Sequence, residues 1–173
     1  MGRTVALVDK FARRLLDLTR LQEEVNGMFL YKPQSSYCGI ESIFMTGIGT
    51  EGHVRAEPER IRILNAFFQR NPDYRIVKFH THSRGTIEKH GDYYANHFSQ
   101  GDIASYDELL REDPDFIGMV VTPKRMLLYA PDNPKIQVAR GFPLEADARI
   151  RRDLQQIASE QGYNLSGFIT RNK

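Results

Sequence analysis

Apolar residues in this chain switch repeatedly between two repeat lengths, and that switching limits its fold more than any other feature. Val8, Phe11, Leu15 and Leu18 recur at spacings of three and four, which predicts an amphipathic helix over residues 4–21. Val25 to Tyr31 is a short apolar run that reads as a strand, closed by the stretch from Lys32-Pro33 to Ser36. A second strand fits Gly39 to Thr46, before a glycine-containing loop around Gly47, Gly49 and Gly52. Pro58 opens a helix through Ile61, Leu64, Phe67 and Phe68, and Asn71-Pro72 stops it. Tyr74 to Phe79 reads as a strand running into His80-Thr81-His82. Residues 83–98 are polar, with Gly85 and Gly91, and read as an irregular loop. Ser99 to Arg111 reads as a third helix; Phe116 to Val121 and Met126 to Tyr129 read as strands joined through Thr122-Pro123. A short strand fits Ile136 to Ala139, and a long helix runs from Leu144 to Gln161 until Gly162 stops it. Residues 163–173 carry no clear pattern. Strands and helices alternate, so the class is α/β or α+β with one central sheet.

No repeat or low-complexity linker divides the 173 residues, a length that suits one domain, 1–173. A net charge of +2 without a Lys/Arg cluster gives no nucleic-acid surface. Cys38 is the lone cysteine, which excludes an intramolecular disulfide and a Cys-rich zinc site. Residues 1–20 carry charges throughout and lack the apolar core of a signal peptide. No run approaches the ~20 apolar residues of a membrane span, so a soluble, cytoplasmic protein is expected.

Chemistry concentrates at three points. His80 and His82 flank Thr81 at a strand end, and strand side chains alternate, so both imidazoles project from one face. Two imidazoles so placed can bind one zinc ion; two ordinary polar residues at a strand terminus would look the same. Ser99-Gln100-Gly101-Asp102 precedes an apolar helix and matches a capping box. Capping and ligation are compatible, because a carboxylate held in a first helical turn makes a rigid third ligand. Glu24, at the start of the strand Val25–Tyr31, is an acid at the mouth of an apolar run; a solvated corner, where Glu23 is expected, is the alternative.

Together these residues resemble the JAMM/MPN+ metalloprotease family, whose motif is an upstream Glu, then His-x-His, then Ser-x-x-Asp. Glu24, His80, His82, Ser99 and Asp102 stand in that order. The flanking segments EEVNGMFLY, YRIVKFHTHS, FSQGDIASYDELL and FIGMVVTPKRMLLYAP are similar to the family's, so the resemblance covers roughly residues 4 to 140. Two departures stand out: Ser83 occupies the place of the usual Pro, and the segment 83–98 is longer than usual.

The resemblance implies a cytidine-deaminase-like α/β domain, a central mixed β-sheet flanked by helices. It implies one catalytic zinc on His80, His82 and Asp102, with water in the fourth position. Glu24 would be the general base and Ser99 the oxyanion donor. The substrate implied is the bond after the C-terminal glycine of a ubiquitin-like protein in its conjugates. Another zinc amidohydrolase, a sulfur-carrier-processing peptidase and a non-catalytic protein-binding scaffold are the alternatives, and a homodimer is left open. A deaminase is excluded, because no Pro-Cys-x-x-Cys follows. His90 and His97 lie in the insert within reach of the metal in principle. Residues 83–98 are expected to act as a flap over the metal, with Tyr93, Tyr94 and Asn96 meeting the substrate.

Overall fold

The computed structural model describes residues 2–50, 53–139 and 144–165; Gly52 and most of the stretch 163–173 lie outside them. Its first element corrects the helix expected over 4–21. Thr4–Val8 is a strand, β1, and only Asp9–Leu18 is helical, as α1. Val5, Ala6 and Leu7 are buried, and β1 runs parallel between two neighbours. A strand covered on both faces reads as a continuous apolar run, which periodicity cannot separate from a helix that follows it directly. In α1 the expected stripe holds, with Phe11, Leu15 and Leu18 buried.

Strand β2 spans Val25–Gln34 and β3 spans Tyr37–Ile48, antiparallel to it. β2 ends inside the stretch 32–36 expected to close it, but runs past Tyr31 and includes Pro33. Pairing on the other edge of β2 stops at Tyr31, so Pro33 has a strand neighbour on the β3 side alone, opposite Cys38. The hairpin turn comes after Gln34, where Ser35 takes a positive φ of 49°. Helix α2 (Pro58–Arg70) starts at its proline, and β4 (Arg75–Thr81) pairs antiparallel with β2.

Residues 83–98 are not an irregular loop. They fold into α3 (Arg84–His90) and the short α4 (Asp92–Ala95). Ser83 and Thr86 form a reciprocal capping box that starts α3, a signal hidden because Thr replaces the usual Glu or Gln. Helix α5 (Gln100–Glu112), strands β5 (Gly118–Val121), β6 (Met126–Tyr129) and β7 (Lys135–Ala139), and helix α6 (Leu144–Glu160) complete the chain. The result is α/β: a seven-stranded mixed sheet in the order β6-β5-β4-β2-β3-β1-β7, flanked by helices.

Alternation along the strands divides the core. Phe29, Val77, Phe79 and Met119 pack with α1 residues in one cluster, while Met28, Leu30 and Phe44 pack with residues of α2 and α6 in another. Tyr106 of α5 covers Phe116 and Val120 in a third. No helix among the described residues is long and apolar enough to cross a membrane.

The central pair β2–β4 is packed backbone to ring. A Cβ on Gly27 would come within 2.6 Å of the Phe79 ring and 2.7 Å of the Phe44 carbonyl oxygen. Gly27→Ala should therefore cost on the order of 2 kcal/mol, an overpacking penalty. Thermal unfolding should show the midpoint falling by roughly 4–8 °C. An unchanged midpoint would mean that β2 can move away from β4 without loss.

Candidate metal centre

Strand β4 alternates cleanly. Val77, Phe79 and Thr81 are buried toward α1, which leaves Ile76, Lys78 and His80 on the opposite face. His82 lies one residue past the strand, but its N–H still donates to the Val121 carbonyl at 2.9 Å, so it keeps the strand's register and joins His80. The third group arrives on α5. Ser99 Oγ accepts the Asp102 N–H at 3.1 Å, and Asp102 Oδ2 accepts the Ser99 N–H at 2.7 Å. The capping box is thus real, and it aims the carboxylate at the imidazoles.

His80 Nε2 lies 3.0 Å from Asp102 Oδ1, His82 Nε2 lies 3.4 Å from Oδ2, and the two Nε2 atoms are 3.4 Å apart. Zinc bonds of about 2.0–2.1 Å in a tetrahedron separate neighbouring ligand atoms by roughly 3.3 Å. The three side chains therefore already have the spacing a small tetrahedral cation needs. Among the described residues this is the group of three that could hold a metal ion.

The other ring nitrogens fix the tautomers. His82 Nδ1 is 3.1 Å from the Ala95 carbonyl, which can only accept, so that nitrogen carries the hydrogen. Tyr106 donates its hydroxyl to the Met119 carbonyl at 3.0 Å, and so accepts from His80 Nδ1 at 3.1 Å. In both neutral rings Nε2 then holds the lone pair that a metal requires. Tyr106 is buried, and burial, then the charge of Asp102, keeps its phenol protonated far above the usual range. Its ring lies flat over Gly118, where a Cβ would come within 2.8 Å.

Electrostatics hold the metal-free cluster together. Burial raises the Asp102 pKa, but the two His hydrogen bonds and the Ser99 N–H outweigh it and hold the carboxylate well below its ordinary range. Burial likewise pushes His82 down, and the hydrogen bond and charge of Asp102, with the charge of Glu24, more than reverse it. The raised His82 proton stabilises the metal-free fold at low pH, and that contribution is lost as pH rises through its pKa. A metal ion must displace this proton, so uptake weakens as pH falls.

Comparisons with known proteins speak to the fold alone. No family model matches the chain, and no curated protein matches it. The solution structure of protein DSY2949 from Desulfitobacterium hafniense does, at 14% identity and a TM-score of 0.53, over 82% of this chain and 97% of that one.

Two of the three, His80 and Asp102, line a cavity of about 540 Å³, as do Glu24, Tyr94 and Ser99. Glu24 is 4% exposed and Oε1 accepts the Thr86 hydroxyl at 2.7 Å, whereas Glu23 is exposed as expected. Of the three insert residues expected to meet substrate, only Tyr94 lines this cavity, its ring stacked on His82 at 6.2 Å. Tyr93 is 79% exposed and stacks on His97. Asn96 is buried, its side-chain amide nitrogen donating to Asp92 and its backbone carbonyl accepting from Arg125. His90 packs on Tyr94, and neither it nor His97 belongs to the metal group.

Sequence reading missed three supports: Tyr106, Thr86 and the Ala95 carbonyl. Tyr106 had a signal, because it stands four residues after Asp102 on the same helix face. Through Thr86 and Ala95 the insert holds Glu24 and His82, so replacing residues 84–97 by a Gly/Ser linker should weaken metal binding. Tyr106→Phe isolates one such support. It should lower zinc affinity by about 10–100-fold in a chelator competition without unfolding the protein. Equal affinity would show that the phenol does not set the His80 ring.

Proposed function

We propose that this chain is a zinc-dependent amide hydrolase of the JAMM/MPN+ type on a cytidine-deaminase-like fold, acting on the bond after the C-terminal glycine of a ubiquitin-like modifier. One observation carries the reading: two Nε2 atoms and a carboxylate share a tetrahedral spacing, at a cavity that His80, Asp102 and a buried glutamate line. A zinc ion on His80, His82 and Asp102 would supply Lewis acidity toward a carbonyl oxygen and make water acidic enough to attack near neutral pH.

The remaining steps fall to the chain's own groups. Thr86 holds one oxygen of Glu24 and leaves Oε2 without a protein donor, free to take a proton from the attacking water. Glu24 then returns that proton to the leaving amine, which departs neutral. Ser99 accepts a hydrogen bond from Asp102 N–H, but its own hydroxyl hydrogen has no acceptor among the described residues. It is available to the oxygen of the tetrahedral intermediate. A metal-free binding scaffold has no need for this convergence.

Elemental analysis should find one zinc per chain, lost in the His80→Ala/His82→Ala double variant. Cleavage of a panel of ubiquitin-like fusions and lysine conjugates then tests the reaction. Glu24→Gln should retain zinc and lose about 10²-fold or more in kcat, while Glu23→Gln stays near wild type. Ser99→Ala combines a cap loss of about 1 kcal/mol with a kcat drop of about 10²-fold. Full activity in Glu24→Gln, or no zinc in the wild type, would defeat the proposal.

A further inference from the structure

The cavity is lined by a lysine that no carboxylate among the described residues pairs. Lys78 stands two residues before His80 on the same face of β4, and it lines the cavity beside the triad. Strand geometry sets the two side-chain roots roughly 7 Å apart. No carboxylate of the described residues forms an ion pair with Lys78. The cavity's acids are engaged elsewhere, Glu24 with Thr86 and Asp102 with the imidazoles.

A second group beside it is also unfinished. Asn26 pairs directly opposite His80, while Met28 opposes Lys78, so Asn26 is the diagonal neighbour of Lys78 across the strands. It is 7% exposed and lines the same cavity. Its Oδ1 accepts the Thr46 hydroxyl at 2.9 Å, which fixes the amide, yet its nitrogen has no acceptor among the described residues. Asn26 lines the cavity, so an acceptor entering there can complete that nitrogen.

We propose that Lys78 and Asn26 form a carboxylate-binding subsite, so that the substrate amide carries a free carboxylate a few bonds from the carbonyl facing the triad. The ammonium supplies charge and the amide a directed donor, one for each oxygen of a carboxylate. Arg55 lines the same cavity, donating Nε to His53, and adds charge of the same sign. The inference rests on the metal-hydrolase reading and narrows it. The favoured substrates are modifiers extended past their terminal glycine by a single residue whose carboxylate remains free, rather than lysine conjugates.

Calorimetric titration with levulinate and the neutral diketone acetonylacetone tests this, because both offer the triad a ketone carbonyl that cannot be hydrolysed and differ only in the carboxylate, at nearly equal size. Zinc-loaded wild type should bind levulinate at least about tenfold more tightly. Lys78→Met should erase that margin, with Lys78→Gln as a second neutral variant, and Lys78→Arg should keep most of it. Asn26→Asp, which puts a carboxylate where the amide stands, should reverse the margin. Circular dichroism and zinc content are measured on every variant. Equal binding of the two probes by wild type, or a margin that survives both neutral variants, overturns the subsite. A protein that takes up no zinc overturns the hydrolase reading instead, and the levulinate margin of that zinc-free protein still decides the subsite.

Discussion

Asp102 sits at the junction of two demands that rarely meet in one side chain. Its Oδ2 closes the capping box of α5, and the same carboxylate faces Nε2 of two imidazoles. A carboxylate this buried is costly unless donors surround it, and the Ser99 N–H and the two rings are those donors. Loss of the cap would turn the carboxylate away from the rings, and loss of the rings would leave a largely buried charge with the Ser99 N–H as its donor. Placement of α5 over the sheet and placement of the histidines on β4 are therefore one problem, solved by a single group.

The two His supports come from opposite directions. Tyr106 reaches His80 from the helix that carries Asp102, while the Ala95 carbonyl reaches His82 from the insert. The insert thus forms part of the site's wall. Thr86, on the preceding helix, holds Glu24 across the same cavity. Three separate segments meet around a group of side chains that the strand pair β2–β4 alone would leave loosely held.

How much of this was legible in the sequence follows from the range over which each signal acts. His80 and His82 share a face because of a two-residue period, and Ser99 and Asp102 meet because of a three-residue cap. Both are local rules, and both appear in the structure. Residues 4–8 were misread because a strand flanked on both sides has no polar beat to distinguish it from the start of a helix. Residues 83–98 were misread as irregular because Thr86 performs a task usually given to Glu or Gln, and because the helices there draw their stability from Leu21, Gln22 and Glu24 far away in sequence. Pro33 stayed in its strand because the neighbouring strand stops short of it, which no local pattern records. Lys78 and Asn26 escaped notice for the same reason: only the strand register makes them neighbours.

Gly118 lines no part of the cavity, yet it is the position from which the electronic character of the His80 ring can be adjusted at a distance. The Tyr106 ring rests where its side chain would be, and the phenol on that ring accepts from His80. Bulk added at residue 118 lifts the ring, lengthens the bond to Nδ1 and lowers the electron density His80 can offer through Nε2. Evolution or design could thus grade the strength of a ligand without altering it, through the size of a side chain one strand away.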